Sequence, residues 1–176
     1  MMEGDLFKIT KCDTIPDLLI FEPSVHIDHR GTLFTSYIEN IVSNYLPKNL
    51  KFTHDKFSES RKDVIRGLHG DSKTWKLVSC IYGEIFQVVV DCRKKSKTYL
   101  NTVSFSLDRD QRKMILVPPN CANGYCVVSE HAIYHYKLAY RGRYSDVEDQ
   151  FVLKWNDPRL KIDWPTSKPV LAERDN

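Results

Sequence analysis

From Lys51 to Tyr140 the sequence is one short apolar run after another, and that rhythm narrows the folds open to it. KFTHDKFSES, DVIRGLH, WKLVSCIY, EIFQVVVDCR, TYLNTVSFSL, KMILVP, GYCVVS and AIYHYKLAY are strand-like, and turn-forming residues separate them. Short strands at regular spacing predict a β-sandwich or barrel. Upstream, residues 13–23 (DTIPDLLIFEP) read as a short strand between prolines, Arg30-Gly31 as a turn and Leu33–Tyr37 as an aromatic strand. Residues 38–47 carry the one helical pattern, with Ile38, Ile41, Val42 and Tyr45 on one side and Pro47 as its stop. The expectation is a single all-β domain over residues 1–176, a cupin-type jelly-roll barrel with one or two short helices.

Two strands carry a finer signal. EIFQVVVDC is nearly all apolar, which predicts a strand covered on both faces. In AIYHYKLAY, alternation puts Tyr134, Tyr136, Leu138 and Tyr140 on one face and Ile133, His135 and Lys137 on the other. The closing segment, WNDPRLKIDWPTSKPVLAERD, is expected to wrap the outside or cap an open end.

The chemistry concentrates in IRGLHGDSKTWKLV. His69 stands between Arg66 and Lys76, and Gly70, Asp71 and Ser72 supply turn residues, so the stretch reads as a hairpin bearing one base and two cations. Strict alternation would put Arg66 and His69 on opposite faces unless Gly67 carries a bulge. A metal-dependent cupin would need several ligands converging on one ion. Here the first motif reads His69-Gly70-Asp71 and the second, Pro118 to Gly124, has no histidine; only Asp71 or Glu84 are left to substitute. The expectation is therefore chemistry without a metal or cofactor. A histidine is a competent base near neutral pH, and a positioned base contributes ~10²–10⁴-fold. Lys76 and Arg66 suit stabilisation of an enolate oxygen, and a tyrosine on the opposite wall suits the returning acid. That combination is epimerase chemistry.

Charge and composition exclude other classes. Twenty-six basic against 23 acidic side chains leave a net charge of +3, scattered rather than striped, which argues against a nucleic-acid partner. No apolar run is long enough to span a bilayer, and the opening MMEGDLFKITKCD lacks a secretory pattern, so no membrane association and a cytoplasmic location are expected. The five cysteines show no zinc-like spacing and most sit in strand-like runs, as expected of buried, reduced thiols.

In their order, VIRGLH, WKLV, YGEIFQVVVDCR, ILVPPN, YKLAY, KWNDPRLKIDWP and VLAERD resemble the sugar-nucleotide 3,5-epimerases typified by dTDP-4-dehydrorhamnose 3,5-epimerase. HDKF, RGLHGD, KTWKL and YRGRYSDVEDQF are similar to a subgroup acting on GDP-linked 4-keto-6-deoxy-heptoses in bacterial capsule synthesis. The resemblance implies a nucleotide-sugar substrate and a homodimer that exchanges an N-terminal strand, with the aromatic strand near Leu33 a plausible donor. It implies His69 as the base at C3 or C5, Asp175 as its dyad partner, Tyr136 as the opposing acid and Lys76 as the enolate's cation. Arg66 is implied at the sugar or diphosphate, and Arg30 at the nucleotide, supplied from the partner subunit. Without the resemblance Asp175 reads as a fraying chain end.

Three departures from the family pattern stand out. Asn123 replaces a histidine and can hold a sugar hydroxyl but not shuttle a proton. His54-Asp55-Lys56-Phe57-Ser58 replaces QDNHS, where relatives touch the nucleotide, so His54 and Lys56 are candidate base contacts. The loop after Tyr136-Lys137 is about three residues longer than in the dTDP enzymes and offers Tyr140 and Tyr144 as matches to a second family tyrosine; Tyr144 is the one taken as a substrate contact. The expected function is inversion at C3, C5 or both of a GDP-linked 4-keto-6-deoxy sugar, a heptose. The alternatives are a 3,4-ketoisomerase on a dTDP-4-keto-6-deoxyhexose, disfavoured by Asp71 where a His-x-His pair is usual, and a non-catalytic sugar-nucleotide-binding cupin.

Overall fold

A computed structural model describes residues 6–176. Its strands are β1 (Phe7–Lys11), β2 (Leu19–Pro23), β3 (Val25–Asp28), β4 (Gly31–Phe34), β5 (Phe52–Arg61), β6 (Ile65–Gly70), β7 (Trp75–Tyr82), β8 (Glu84–Asp91), β9 (Thr102–Asp108), β10 (Met114–Val117), β11 (Cys121–Val127), β12 (His131–Ala139) and β13 (Phe151–Val152). They form a six-stranded sheet, β1-β2-β10-β7-β12-β5, facing a five-stranded sheet, β13-β6-β11-β8-β9. Among the described residues β3 and β4 pair only with each other, as a separate hairpin. The architecture is the all-β jelly roll expected from the strand rhythm. The single helical pattern becomes α1 (Glu39–Val42) and a 3₁₀ turn over Ser43–Tyr45, shorter than the ten-residue pattern, with no side-chain cap on Ile38.

Burial explains why each strand reads as it does. Between the sheets lie Ile15, Leu18, Val78, Cys80, Ile85, Val89, Ile115, Tyr125 and Tyr134. The outer face of the six-stranded sheet is covered by Val42, Leu46 and Leu50, packed on Phe21, Leu77 and Leu116. The outer face of the other sheet is covered by the closing segment, with Leu160, Ile162 and Trp164 against Leu68, Val88 and Val90. β8 is therefore enclosed on both sides, Ile85 and Val89 inward and Val88 and Val90 outward, which accounts for its unbroken apolar run.

The stretch around His69 is not a hairpin. β6 belongs to the five-stranded sheet and β7 to the six-stranded one, so the connection turns a corner from one wall to the other. Asp71 builds that corner: its carboxylate accepts from the Lys73 and Thr74 backbone N–H groups at 3.0 and 2.7 Å, and its carbonyl accepts from Asn120 N–H at 2.8 Å. Gly70, Asp71 and Ser72 turn the chain as their residue types predict, but their span joins two layers rather than two neighbours.

The five cysteines are all free, with Cys80, Cys121 and Cys126 buried. Among the described residues no helix is long and apolar enough to cross a membrane.

Candidate active site

Alternation points a set of polar side chains into the barrel. On β7, Lys76 shares the inward face with Val78 and Cys80; on β11, Asn123 shares it with Cys121, Tyr125 and Val127. On β12, Tyr134, Tyr136 and Leu138 form one inward row, while His135 and Lys137 bind Asp55 on the other side, at 2.7 and 2.8 Å. β6 needs a correction to its alternation, and it has one. His69 pairs with Asn123 and Arg66 with Tyr125, so three steps along β6 match two along β11. The extra residue sits at Gly67, at φ +127°, where a Cβ would lie 2.6 Å from Gly124 Cα. Only glycine fits this bulge, and it turns Arg66 and His69 into the same cavity.

That cavity is lined by His69, Tyr136, Lys76, Asp175, Arg66, Asn123, Lys56 and Tyr144 among others. Eight of the ten side chains expected to form a site thus come together. His54 stands behind them, its Nδ1 3.2 Å from Tyr140 Oη and its ring 4.8 Å from that of Tyr144. Tyr144 faces the cavity and Tyr140 does not. Arg30 lies elsewhere, on the β3–β4 hairpin, exposed and paired with Asp28 at 2.6 Å.

His69 is held from both sides. Its Nε2 is 2.5 Å from Asp175 Oδ1 and its Nδ1 2.7 Å from Arg174 Nη2. A guanidinium can only donate, so Nδ1 accepts, and Nε2 carries the proton shared with Asp175. Asp175 is 3% exposed, its other oxygen accepting from Gly67 N–H at 3.4 Å. It is not frayed, because the closing chain is stitched to β6 first: Val170 N–H donates to Asp63 and Ile65 N–H to Val170. A 3₁₀ turn over Glu173–Asp175 then places Arg174 and Asp175 at the cavity.

Burial lowers the His69 pKa below its ordinary 6.5, outweighing the Asp175 carboxylate that favours the cation; Arg174 and Lys76 push in the same direction as burial. The ring is neutral at pH 7. An NMR titration is expected to place the His69 midpoint below 6.5, and Asp175→Asn to move it lower still. A midpoint above 6.5 would show the carboxylate dominating. Because the unfolded chain takes this proton more readily, the stability contributed by His69 is complete above 6.5 and is lost as pH falls through the folded value.

The opposite wall carries a phenol, Tyr136, and an ammonium, Lys76. Burial raises the Tyr136 pKa above the usual phenol value, with Arg66 opposing, so the phenol stays protonated. Tyr136 packs edge-on against Tyr134 at 4.5 Å, and Tyr134 donates to the buried Gln87 at 2.6 Å. Lys76 is 7% exposed, and burial lowers its pKa while Asp71 resists. Its Nζ donates to His69 O at 3.4 Å and Asn123 Oδ1 at 3.3 Å, contacts long enough to yield to a better acceptor. Asn123 also donates to Tyr134 Oη at 3.4 Å, so the amide ties Lys76 to the tyrosine row.

Sequence reasoning missed several lining groups. Arg66 Nε donates to Ser60 Oγ at 2.9 Å, and Ser58 Oγ lies 2.8 Å from Tyr125 Oη, so two serines anchor the inner wall. Their signal was the inward parity of Ser58 and Ser60 with Lys56 along β5. Thr74 Oγ1 is buried at the cavity without a protein partner among the described residues. Arg174, within VLAERD, also lines the cavity, and nothing in its residue type or spacing singles it out in the sequence.

Comparison with known proteins places this geometry. The family model for dTDP-4-dehydrorhamnose 3,5-epimerase matches residues 13–176. The chain is 36% identical over 164 residues to the dTDP-4-dehydrorhamnose 3,5-epimerase of Shigella flexneri, covering 92% of this chain and 89% of the relative. It is 31% identical to a dTDP-4-dehydrorhamnose 3-epimerase of Streptomyces niveus, over 87% and 74% of the two chains. Among solved structures, dTDP-6-deoxy-D-glucose-3,5-epimerase from Legionella pneumophila in complex with dTDP-4-keto-L-rhamnose superposes with a TM-score of 0.88 at 34% identity, covering 96% of this chain and 89% of that one. The chain belongs to the dTDP-4-dehydrorhamnose 3,5-epimerase family and is a sugar-nucleotide epimerase of the isomerase class.

Proposed function

We propose that the chain inverts C3, C5 or both of a nucleotide-linked 4-keto-6-deoxy sugar by metal-free proton transfer. The observation that carries this reading is the placement of His69, on one sheet and bonded to Asp175, and Tyr136, on the facing sheet, around one cavity. His69 takes the proton next to the ketone, and the electron pair moves into the carbonyl to give an enolate. Lys76 meets the oxygen where charge develops. Tyr136 gives its proton to the opposite face of the carbon, and Arg66 nearby eases the phenolate left behind. Exchange with solvent then resets both groups.

The cavity encloses about 190 Å³, less than the ~300–1,000 Å³ of pockets that swallow a drug-sized ligand. The sugar fits inside and the nucleotide lies along the mouth, where Lys56 Nζ donates to Tyr144 Oη at 3.2 Å. The relatives compared above are named for dTDP sugars and lend no support to a GDP-heptose. What supports GDP is the set of departures: Lys56 and the longer Tyr144 loop both differ from the dTDP pattern, and both sit at this mouth. The β3–β4 hairpin, with Ile27 78% and Leu33 72% exposed, suits pairing with a second copy that would supply Arg30 to the nucleotide.

Proton NMR in D₂O on GDP- and dTDP-linked 4-keto-6-deoxy sugars tests this. Deuterium is expected at each inverted carbon, faster on the GDP substrate. Faster exchange on dTDP overturns the nucleotide assignment alone; no exchange on either overturns the proton-transfer mechanism.

A further inference from the structure

We propose that Arg174 is a positioning residue that caps Nδ1 of His69 in the free enzyme and moves onto the anionic diphosphate of the sugar nucleotide when it binds. The inference rests on the reading of His69 as the base. Nε2 is committed to Asp175, so Nδ1 carries the only lone pair of the ring that can receive a proton. Arg174 Nη2 occupies that lone pair at 2.7 Å. A carbon acid and a guanidinium cannot share it, so Arg174 must leave before His69 can act.

Its surroundings permit the move. The side chain is one-third exposed, at the rim of the cavity, and its ion partner Asp175 is 3.6 Å away, a loose contact for a guanidinium. The backbone beneath it is anchored by the Asp175 N–H bond to Ala172 at 2.9 Å, so the side chain swings while the carboxylate stays on His69. Arg66, the other guanidinium of the cavity, is already held through Nε by Ser60. A dianionic diphosphate at the mouth offers Arg174 a bidentate acceptor far better than a neutral imidazole. Binding of the charged part of the substrate would then uncover the base, and a neutral or truncated sugar would leave it covered.

The first test needs no substrate. Diethyl pyrocarbonate acylates an imidazole at its free lone pair, and peptide mass spectrometry reads the modification at His69 against the other five histidines. In Arg174→Gln, His69 is expected to react roughly tenfold faster than in the native protein, the worth of one charge-assisted hydrogen bond. Kinetics on the sugar nucleotide are expected to show KM raised roughly tenfold, with a smaller effect on kcat, and Arg174→Lys to recover much of the loss. Labelling of Arg174→Gln at the native rate overturns the cap. An unchanged KM overturns the transfer to the diphosphate. If instead His69→Asn still exchanges substrate protons, the reading of the base has failed, and the labelling result still stands for the cap.

Discussion

His69→Asn is expected to reduce solvent-deuterium incorporation into a 4-keto sugar nucleotide by ~10²–10⁴-fold, the usual contribution of a positioned base. The amide keeps a polar contact to Asp175 but has no lone pair basic enough to remove a carbon-bound proton. Calorimetric affinity for the nucleotide sugar should change little, because the proposed nucleotide contacts, Lys56 and Tyr144, stand at the cavity mouth away from His69. Undiminished exchange in this variant would remove His69 from the mechanism. The loss should exceed that of Asp175→Asn, which leaves the imidazole in place and removes only its orienting carboxylate.

Tyr136→Phe is expected to separate two events that the proposed mechanism couples. The ring still packs against Tyr134, so the fold should tolerate the change. If the phenol is the proposed acid, net inversion should fall by about 10²-fold or more, the ordinary scale of general-acid loss. Deuterium exchange at the same carbon, with retained configuration, should persist, because His69 can return a deuteron to the face from which it took the proton. Equal loss of exchange and inversion would assign Tyr136 to binding or to enolate stabilisation instead. Equal retention would move the acid to another group.

These experiments concern residues whose positions were unevenly legible in the sequence. The inward row of β12 and the enclosed β8 followed from period-two patterning, because each strand buries what the pattern says it must. The His69–Lys76 relationship was half legible. Both residues face one cavity, but from different sheets, and nothing in IRGLHGDSKTWKLV distinguishes a tight hairpin from a corner between layers. The joint facing of Arg66 and His69 depended on a bulge that alternation alone forbids, and Gly67 was its only trace. Asp175 is legible only through resemblance, since its burial depends on contacts with β6, over a hundred residues away in sequence. Arg174 escaped notice because a charged residue near a chain end has no periodicity to betray it.

The unequal count between β6 and β11 has a consequence for how such a barrel can change its chemistry. A strand's side chains belong to the lumen or the exterior by parity, and one surplus residue inverts the parity of everything before it while leaving everything after it in phase. Closing the bulge by a one-residue slip of the preceding chain would set Gly67 opposite Tyr125 and turn Arg66 outward opposite Cys126, without disturbing His69 or its pairing with Asn123. The guanidinium could therefore be gained or lost as a single step of register, independent of the base. In a scaffold whose walls are otherwise closely packed, such a phase change withdraws one functional group from the cavity and leaves the base where it stands.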